Sequence, residues 1–145
     1  VLTNVNLKVD KGEYVALVGS SGAGKTTLCS LIPRFYEVSE GSIKVDDTDI
    51  RDIKLKCLRQ NIGVVQQDVY LFVGSVKENI RYGKPDATDE ELIEVLKNAC
   101  AWHFVSKLPG GLNAQIGERN YNLSEGQAQR LSVARAILYD APILL

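Results

Sequence analysis

The sequence predicts an α/β fold that combines a mainly parallel sheet with a small antiparallel β layer and a helical insertion. Three observations lead to this prediction. Residues 62–65 form a β-branched apolar run, which is typical of a strand buried on both faces of a parallel sheet. A glycine-rich segment, 19–26, lies between the apolar run 14–18 and a helical pattern, which indicates a strand, a loop and a helix in succession. Residues 71–123 have a mainly helical pattern.

The first half of the chain is predicted from short local patterns. Alternation of apolar and polar residues indicates half-buried strands, Pro33 marks the end of a helix, and Gly41 precedes a further strand. In chain order we predict strands over 5–9 and 14–18, a helix over 26–32, a strand over 43–45 and a short helix over 54–59. The antiparallel layer is expected here, beside the core.

Helices dominate after Gln67. We predict them over 76–81, 89–101 and 125–139, with a break at 108–111 and the start of a buried strand at 141–145. Two capping boxes mark helix starts, Thr88 with Glu91 and Ser124 with Gln127. The last helix should bury one face, formed by Leu131, Ala134, Ile137 and Leu138.

These patterns suggest three parts: a β layer and loop core over about 1–70, a helical subdomain over about 71–130, and a core helix with the start of a strand over about 131–145. The length of 145 residues suits about one domain. A chain without Met that starts in a patterned strand and stops in an apolar run is expected to be part of a longer polypeptide.

Composition excludes several classes. With 45% hydrophobic residues, 24% charged residues and a net charge of −1, the chain is neither disordered nor basic enough to indicate a nucleic-acid binder. No apolar stretch approaches the ~20 residues of a membrane helix.

The cysteine, histidine and aromatic residues do not lead to a prediction of a catalytic or binding site. The three cysteines, at 29, 57 and 100, are widely spaced, so we expect reduced, mostly buried thiols in a cytosolic protein. His103 lies in an apolar segment and is interpreted as a packed or half-exposed side chain. The aromatic residues Tyr36, Tyr70, Tyr82 and Trp102 are interpreted as packing or surface residues.

The glycine-rich segment carries the functional prediction. It matches the P-loop pattern G-x-x-x-x-G-K-[ST] and reads Gly19, Ser20, Ser21, Gly22, Ala23, Gly24, Lys25, Thr26. In such loops backbone N–H groups surround phosphate oxygens, the lysine reaches the β and γ phosphates, and the Ser/Thr hydroxyl ligates Mg²⁺. We therefore predict that these residues bind ATP and Mg²⁺, with Thr26 on the metal and Thr27 adding a phosphate hydrogen bond. The alternative is an ordinary glycine-rich turn before a helix.

A second motif resembles a known family. Residues 123–130 closely resemble the LSGGQ-x-Q-R signature of ABC-type ATPases, with Glu125 in place of the first glycine. Residues 64–68 resemble the family's Q-loop, with Gln67 at the glutamine and Gln66 where proline is common. Residues 141–145 resemble the approach to Walker B. Segments near 71–80 and the X-loop-like 116–119 are similar to exporter-type nucleotide-binding domains.

The resemblance implies a P-loop NTPase, RecA-like core in a nucleotide-binding domain truncated at both ends. It implies a head-to-tail dimer in which Ser124, Gly126 and Gln127 of one domain cap the γ-phosphate bound by another. Gln67 is expected to ligate Mg²⁺ or the attacking water. It further implies a transmembrane partner domain and a place on the cytoplasmic face of the cell membrane. Because the Walker B carboxylates and the switch histidine follow residue 145 in the family pattern, these residues alone are expected not to hydrolyse ATP.

Alternatives remain open at this point. Glu125 is either a favourable first-turn carboxylate or a charge that weakens the phosphate clamp. The parent protein is an exporter ATPase, a regulatory module that closes on ATP without hydrolysis, or a non-transport ABC ATPase of chromosome maintenance or repair. The compact spacing and the 116–119 segment argue against the last.

Overall fold

In a computed structural model of the protein, the structure describes residues 2–117 and 122–145. The chain divides into two compact units, Val1–Arg59 and Gln60–Leu145, and each is described by itself.

The first unit contains one helix and one hairpin, followed by a helix that crosses the unit boundary. Its elements are α1 (Lys25–Leu31), β1 (Lys44–Val45), β2 (Thr48–Asp49) and α2 (Leu55–Gln60). Strands β1 and β2 pair antiparallel, which agrees with the predicted antiparallel pairing near 43–45. Asp46 and Asp47 both have positive φ, as a two-residue hairpin turn requires.

An arginine fastens the end of this hairpin. The Arg51 guanidinium donates to both carboxylate oxygens of Asp49, at 3.0 Å from Nε and 2.6 Å from Nη2, and its backbone N–H donates to the same carboxylate at 2.9 Å. The Arg51 hydrogen bonds lower the pKa of Asp49 to about 2. The Arg51 fork therefore orients the ion pair with Asp49 through two side-chain hydrogen bonds.

The predicted strands over 5–9 and 14–18 are wrong. Neither segment belongs to a β ladder in the part of the chain that the structure describes, and Tyr14 and Val18 are 102% and 93% exposed. The physical reason is that alternating apolar side chains specify a face, whereas a strand also needs a neighbour for its N–H and C=O groups. The described ladders do not supply one.

The second unit is mainly helical. Its helices are α3 (Val76–Arg81), α4 (Asp89–Asn98), α5 (Trp102–Val105), a 3₁₀ turn (Gly111–Asn113) and α6 (Glu125–Tyr139). Its strands are β3 (Ile62–Gly63), β4 (Gly74–Ser75), β5 (Gln115–Ile116) and β6 (Ile143–Leu144). Strands β4 and β5 pair antiparallel, and β3 and β6 pair parallel.

The parallel pairing confirms the prediction made from residues 62–65. Ile62 lies opposite Ile143, and the ladder continues where the Val65 N–H donates to the Leu145 carbonyl at 2.8 Å. Ile62 and Gly63 are buried, but Val64 is 36% exposed, so burial on both faces does not extend along the whole run.

Helices α3 and α6 have the predicted bounds, and both predicted capping boxes form. Helix α4 ends at Asn98, three residues before the predicted end. The reason is a Schellman motif: the Ala101 N–H donates to the Leu96 carbonyl at 2.7 Å, and Cys100 has a φ of 52°. A left-handed residue at this position stops the helix.

Among the described residues of the second unit, sixteen buried side chains form a core where α6 packs on α3 and α4. Leu131, Ala134 and Leu138 are buried as predicted, and Ile137 is partly buried against them. Each fully buried large side chain contributes about 1.5–3 kcal/mol relative to an exposed one. This core fixes the axis of α6.

The prediction of mostly buried thiols is wrong. Cys57 and Cys100 are exposed and Cys29 is half-buried. Cys100 is exposed because it occupies the left-handed corner of the Schellman motif. His103 is exposed and meets Phe104 edge to face at 5.5 Å. Of the helices in the described ranges, none has the length and apolar character to cross a membrane.

Candidate nucleotide-binding site

The P-loop residues 19–26 lead directly into α1. Gly22 and Gly24 have φ values of 79° and 88°, a region that L side chains rarely adopt. Gly24 is the residue before the helix and offers no side-chain cap. The first N–H groups of a helix have no intrahelical acceptor, so those of α1 are available to an anion. The loop therefore has the backbone geometry that phosphate binding needs.

The Lys25 side chain folds back over its own loop. Its Nζ donates to the carbonyl oxygens of Gly19 and Ser20, each at 2.8 Å. These acceptors are neutral, and a phosphate oxygen is a stronger acceptor for an ammonium group. The lysine is thus held at the loop by bonds that a phosphate can replace.

Thr26 and Thr27 lie in the first turn of α1, and both are exposed. The Thr26 carbonyl accepts a hydrogen bond from the Ser30 hydroxyl at 2.8 Å. Both residues lie at the helix end where the dipole attracts anions. The roles predicted for Thr26 and Thr27 remain predictions.

An open pocket of about 280 Å³ borders the same loop. Its lining is apolar apart from Lys25 and consists of Leu2, Val5, Ala16, Leu17, Val18, Ala23, Gly24, Lys25 and Leu28. A Cβ placed on Gly24 would lie 2.7 Å from Leu2 Cδ2. The apolar lining does not suit phosphate, so anion recognition falls to the N–H groups and Lys25.

The signature-like residues begin α6 in the second unit. The Ser124 hydroxyl accepts from the Gln127 N–H at 3.3 Å, and the Gln127 side-chain oxygen accepts from the Ser124 N–H at 2.9 Å. This capping box leaves the N–H groups of Glu125 and Gly126 without intrahelical acceptors. Both residues are exposed, and a Cβ on Gly126 would meet no atom within 4 Å. The helix start is therefore an accessible positive end.

Gln67 is exposed in a bend that follows β3. The carboxyl ends of parallel strands meet at the same edge of a sheet, so Gln67 emerges at the edge where β6 also ends. This edge is where ligands bind in open α/β sheets. The P-loop belongs to the first unit, whereas Gln67 and residues 124–127 belong to the second.

Sequence reasoning missed a polar pair, the buried Asn79 and the half-buried Arg135. Asn79 is 1% exposed, and its backbone carbonyl accepts from Arg135 Nε at 2.9 Å. Burial lowers the pKa of Arg135. Each lies among apolar positions of an amphipathic helix, Asn79 between Val76 and Ile80 and Arg135 beside Ala134. A polar residue on a predicted core face is the pattern that indicates such a pair.

Two further predictions concern metals and the X-loop. Within the described ranges 2–117 and 122–145, no group of His, Cys, Asp and Glu is arranged to hold a metal ion. The predicted Mg²⁺ ligands are instead Thr26 and Gln67, of which neither belongs to these residue types. In the X-loop-like segment 116–119, Glu118 and Arg119 lie outside the described residues.

Comparison with known proteins gives one family. The family model described as "ABC transporter" matches residues 2–145. "Putative multidrug export ATP-binding/permease protein YgaD" of Bacillus subtilis (strain 168) is 52% identical over 145 residues, which are 100% of this chain and 25% of that protein. "Uncharacterized ABC transporter ATP-binding protein YwjA" of the same strain has the same identity and coverage. The chain thus spans about a quarter of the length of these relatives.

The family model establishes the fold class predicted from the motifs, a P-loop NTPase with parallel and antiparallel strand pairs. The P-loop, the Q-loop-like bend and the capped signature helix all lie within the matched residues. The chain belongs to the ABC transporter family.

Proposed function

We propose that this chain is the ATP-binding part of an ABC exporter's ATPase domain, which couples ATP binding and hydrolysis to the movement of a solute across a membrane. The observation that carries the proposal is the P-loop backbone, where left-handed Gly24 opens an uncapped α1 beside Lys25. This arrangement combines backbone donors, a helix dipole and a mobile cation at one place. A polyphosphate is the ligand that uses all three.

Each residue of the P-loop region has a proposed role in binding the phosphates or the metal. Backbone N–H groups of residues 19–26 surround the phosphates, Lys25 bonds to the β and γ phosphates, and Thr27 adds a further hydrogen bond. Thr26 and Gln67 present neutral oxygens, which suit Mg²⁺ when the nucleotide's own phosphates supply the negative charge. When bound, Mg²⁺ neutralises charge that develops on the transferred phosphoryl group.

A second nucleotide-binding domain is the proposed partner at the signature. Ser124, Gly126 and Gln127 begin a helix whose free N–H groups form a second anion site in a chain with one P-loop. We propose that this helix end caps a γ-phosphate held by the P-loop of the other domain. ADP lacks that group, so only ATP gains the contact and drives closure.

A transmembrane domain is the other proposed partner. The relative YgaD has "export" and "permease" in its name and is about four times the length of the matched region. We therefore place the parent protein at the cytoplasmic face of the cell membrane, with this chain facing the nucleotide pool. The transported solute depends on residues outside these 145.

The 145 residues alone are proposed to bind Mg-ATP weakly and not to hydrolyse it. They contain the P-loop, the Q-loop-like segment and the signature-like segment, and none of these residues is proposed as a Walker B carboxylate or as the switch histidine. Phosphoryl transfer to water requires a carboxylate on the metal and a group that orients the water. Steady hydrolysis by this polypeptide that Lys25→Ala abolishes would contradict the proposal.

A regulatory module that closes on ATP without turnover is the second candidate. The observation that favours it is Glu125, an exposed carboxylate in the first turn of the signature helix. A charge there opposes the γ-phosphate and slows a site that depends on the clamp.

Steady-state ATP hydrolysis by the full-length membrane protein separates the two candidates. An exporter ATPase gives turnover that Lys25→Ala removes and that Lys11→Ala, which changes an exposed lysine outside the loop, leaves unchanged. Nucleotide-dependent closure without turnover favours the regulatory module. Absence of both ATP binding and turnover would overturn the proposed function.

A further inference from the structure

The segment that follows Gln67 is fastened to the signature helix by two polar side chains, the buried Asn79 and the half-buried Arg135. Resting on the proposed function, we propose that Arg135 is a positioning residue for ATP turnover. Together with Asn79 it holds residues 70–75 against α6, so that the Q-loop segment and the helix that begins at Ser124 move as one body.

Asn79 closes the segment onto α3. Its Oδ1 accepts from the Phe72 N–H at 2.8 Å, and its Nδ2 donates to the carbonyls of Phe72 at 2.9 Å and Ser75 at 3.0 Å. These bonds are buried or partly buried, so they are shielded from competition by water. Asn79 therefore holds the backbone of Phe72 and Ser75, and Glu78 and the pairing of β4 with β5 add further bonds at Ser75.

Arg135 extends this connection to α6. Its Nε donates to the Asn79 carbonyl at 2.9 Å, Nη1 donates to the Tyr70 carbonyl at 3.4 Å, and Nη2 donates to Asn79 Oδ1 at 3.4 Å. The guanidinium carbon lies 5.7 Å from the centre of the Phe72 ring, which adds a cation–π contact. One side chain thus joins α6, α3 and the segment after Gln67.

The chemistry of the site favours positioning over simple stabilisation. Half-burying a guanidinium costs free energy, and an apolar side chain of similar size would fill the same place without that cost. In the described part of the chain, the hydrogen-bond partners of Arg135 are two carbonyl oxygens and an amide oxygen, and no carboxylate pairs with it. The planar fork is needed because the acceptors lie on separate elements.

The consequence concerns Gln67, which lies three residues before Tyr70. Fixing Tyr70 and Phe72 to α6 limits where the Gln67 side chain can reach relative to the signature. Without Arg135, Gln67 samples more positions and spends less time at the metal or the attacking water. Turnover falls, while nucleotide binding at the P-loop of the first unit is unchanged.

The experiment uses the full-length membrane protein in three forms: wild type, Arg135→Ala and Arg135→Lys. Arg51→Ala is the matched control, since it also removes an arginine with several hydrogen bonds but lies in the first unit. Two experiments are made on each form. Steady-state kinetics gives kcat and KM for ATP. Hydrogen–deuterium exchange is measured for a peptide spanning residues 68–75, with a peptide from α4 as reference.

For Arg135→Ala we expect kcat to fall about tenfold with KM within about twofold, and exchange over 68–75 to rise about tenfold while that of α4 is unchanged. Arg135→Lys keeps the charge and one donor, so both effects should be intermediate. Arg51→Ala should match wild type. A lysine variant equal to wild type in both measurements would overturn the geometric role.

Three other results overturn the inference. They are unchanged exchange over 68–75, a uniform rise that includes α4, and faster exchange with kcat unaltered. If wild-type protein hydrolyses no ATP, the proposed function fails and the positioning role in turnover fails with it. The exchange measurement still shows whether Arg135 fastens the segment, so the two failures are distinguishable.

Discussion

The Lys25 ammonium donates a 2.8 Å hydrogen bond to the carbonyl oxygen of Gly19, the first residue of its own loop. A second bond of the same length joins it to Ser20. The Lys25 side chain therefore connects the end of the P-loop to its first two residues. We expect phosphate oxygens to replace these neutral acceptors when a nucleotide binds, because a phosphate is the stronger acceptor for an ammonium group.

Lys25→Ala should weaken ATP binding by at least about tenfold, because hydrogen bonds from a charged donor are worth about 1.5–3 kcal/mol. The measurement is titration of the full-length protein with a fluorescent ATP analogue. Lys11→Ala, an exposed lysine in the turn before residues 14–18, is the control and should bind like wild type. Equal affinity of the Lys25 and Lys11 variants would show that the loop lysine does not contact the phosphates.

Gly24→Ala should destabilise the fold by about 1–2 kcal/mol, because an alanine at a φ of 88° is held in the left-handed region. The Cβ would also lie 2.7 Å from the end of the Leu2 side chain, which can move aside. Gly126→Ala is the matched control: it sits in the first turn of α6, where a Cβ meets no atom within 4 Å. For Gly126→Ala, the free energy of unfolding should rise by up to about 1 kcal/mol. Urea unfolding measures both changes, and a Gly24 variant as stable as wild type would contradict the strained loop geometry.

Glu125→Gly tests the two interpretations of the signature. If the carboxylate weakens the phosphate clamp, removing it should strengthen ATP-driven dimerisation of a complete nucleotide-binding domain. If the carboxylate only favours the helix start, the substitution should leave dimerisation unchanged and cost α6 a few tenths to about 1 kcal/mol. We expect the second result, because the carboxylate is exposed at the first helical position and the capping box forms without it. Analytical ultracentrifugation with ATP and with ADP makes the comparison.

Asp49 should remain ionised in the folded protein down to a pH of about 2, because the Arg51 hydrogen bonds hold its pKa there. Since the folded pKa lies below the usual unfolded value near 4, the pair stabilises the fold above that value. This contribution is lost as the pH falls from about 4 through about 2. A carboxyl carbon NMR titration of Asp49 measures the pKa directly. In Arg51→Ala it should return toward 4, and no change would contradict the ion pair.

Local signals predicted the helices well and the first strands poorly. The Ser124 and Gln127 capping box and the bounds of α6 depend on contacts within four residues, so the sequence contains what decides them. The alternating pattern over 5–9 specifies only which side chains would share one face of a strand. Whether it becomes a strand depends on a partner at another place in the chain, and no local pattern encodes that partner.

In the candidate site too, some features depend on local residue patterns and others depend on distant parts of the chain. The P-loop could be predicted to the residue because Gly22 and Gly24 are required by φ values that other residues rarely adopt. Gln67 could be placed after a strand, but the β3 to β6 pairing that puts it at a sheet edge joins residues 81 positions apart, such as Ile62 and Ile143. Cys100 is exposed because of the Schellman motif that ends α4. The residue types in this segment do not indicate the hydrogen bonds of that motif.

By itself the sequence determined the family, the phosphate loop and the capped signature helix, because each depends on residue types at fixed short spacing. The tertiary structure alone decided the connection from Asn79 to Arg135. The two residues are 56 positions apart, and their carbonyl and guanidinium groups meet only because the core packs α3 on α6. Short-range backbone chemistry is encoded locally, whereas the meeting of buried polar groups is set by how apolar faces pack.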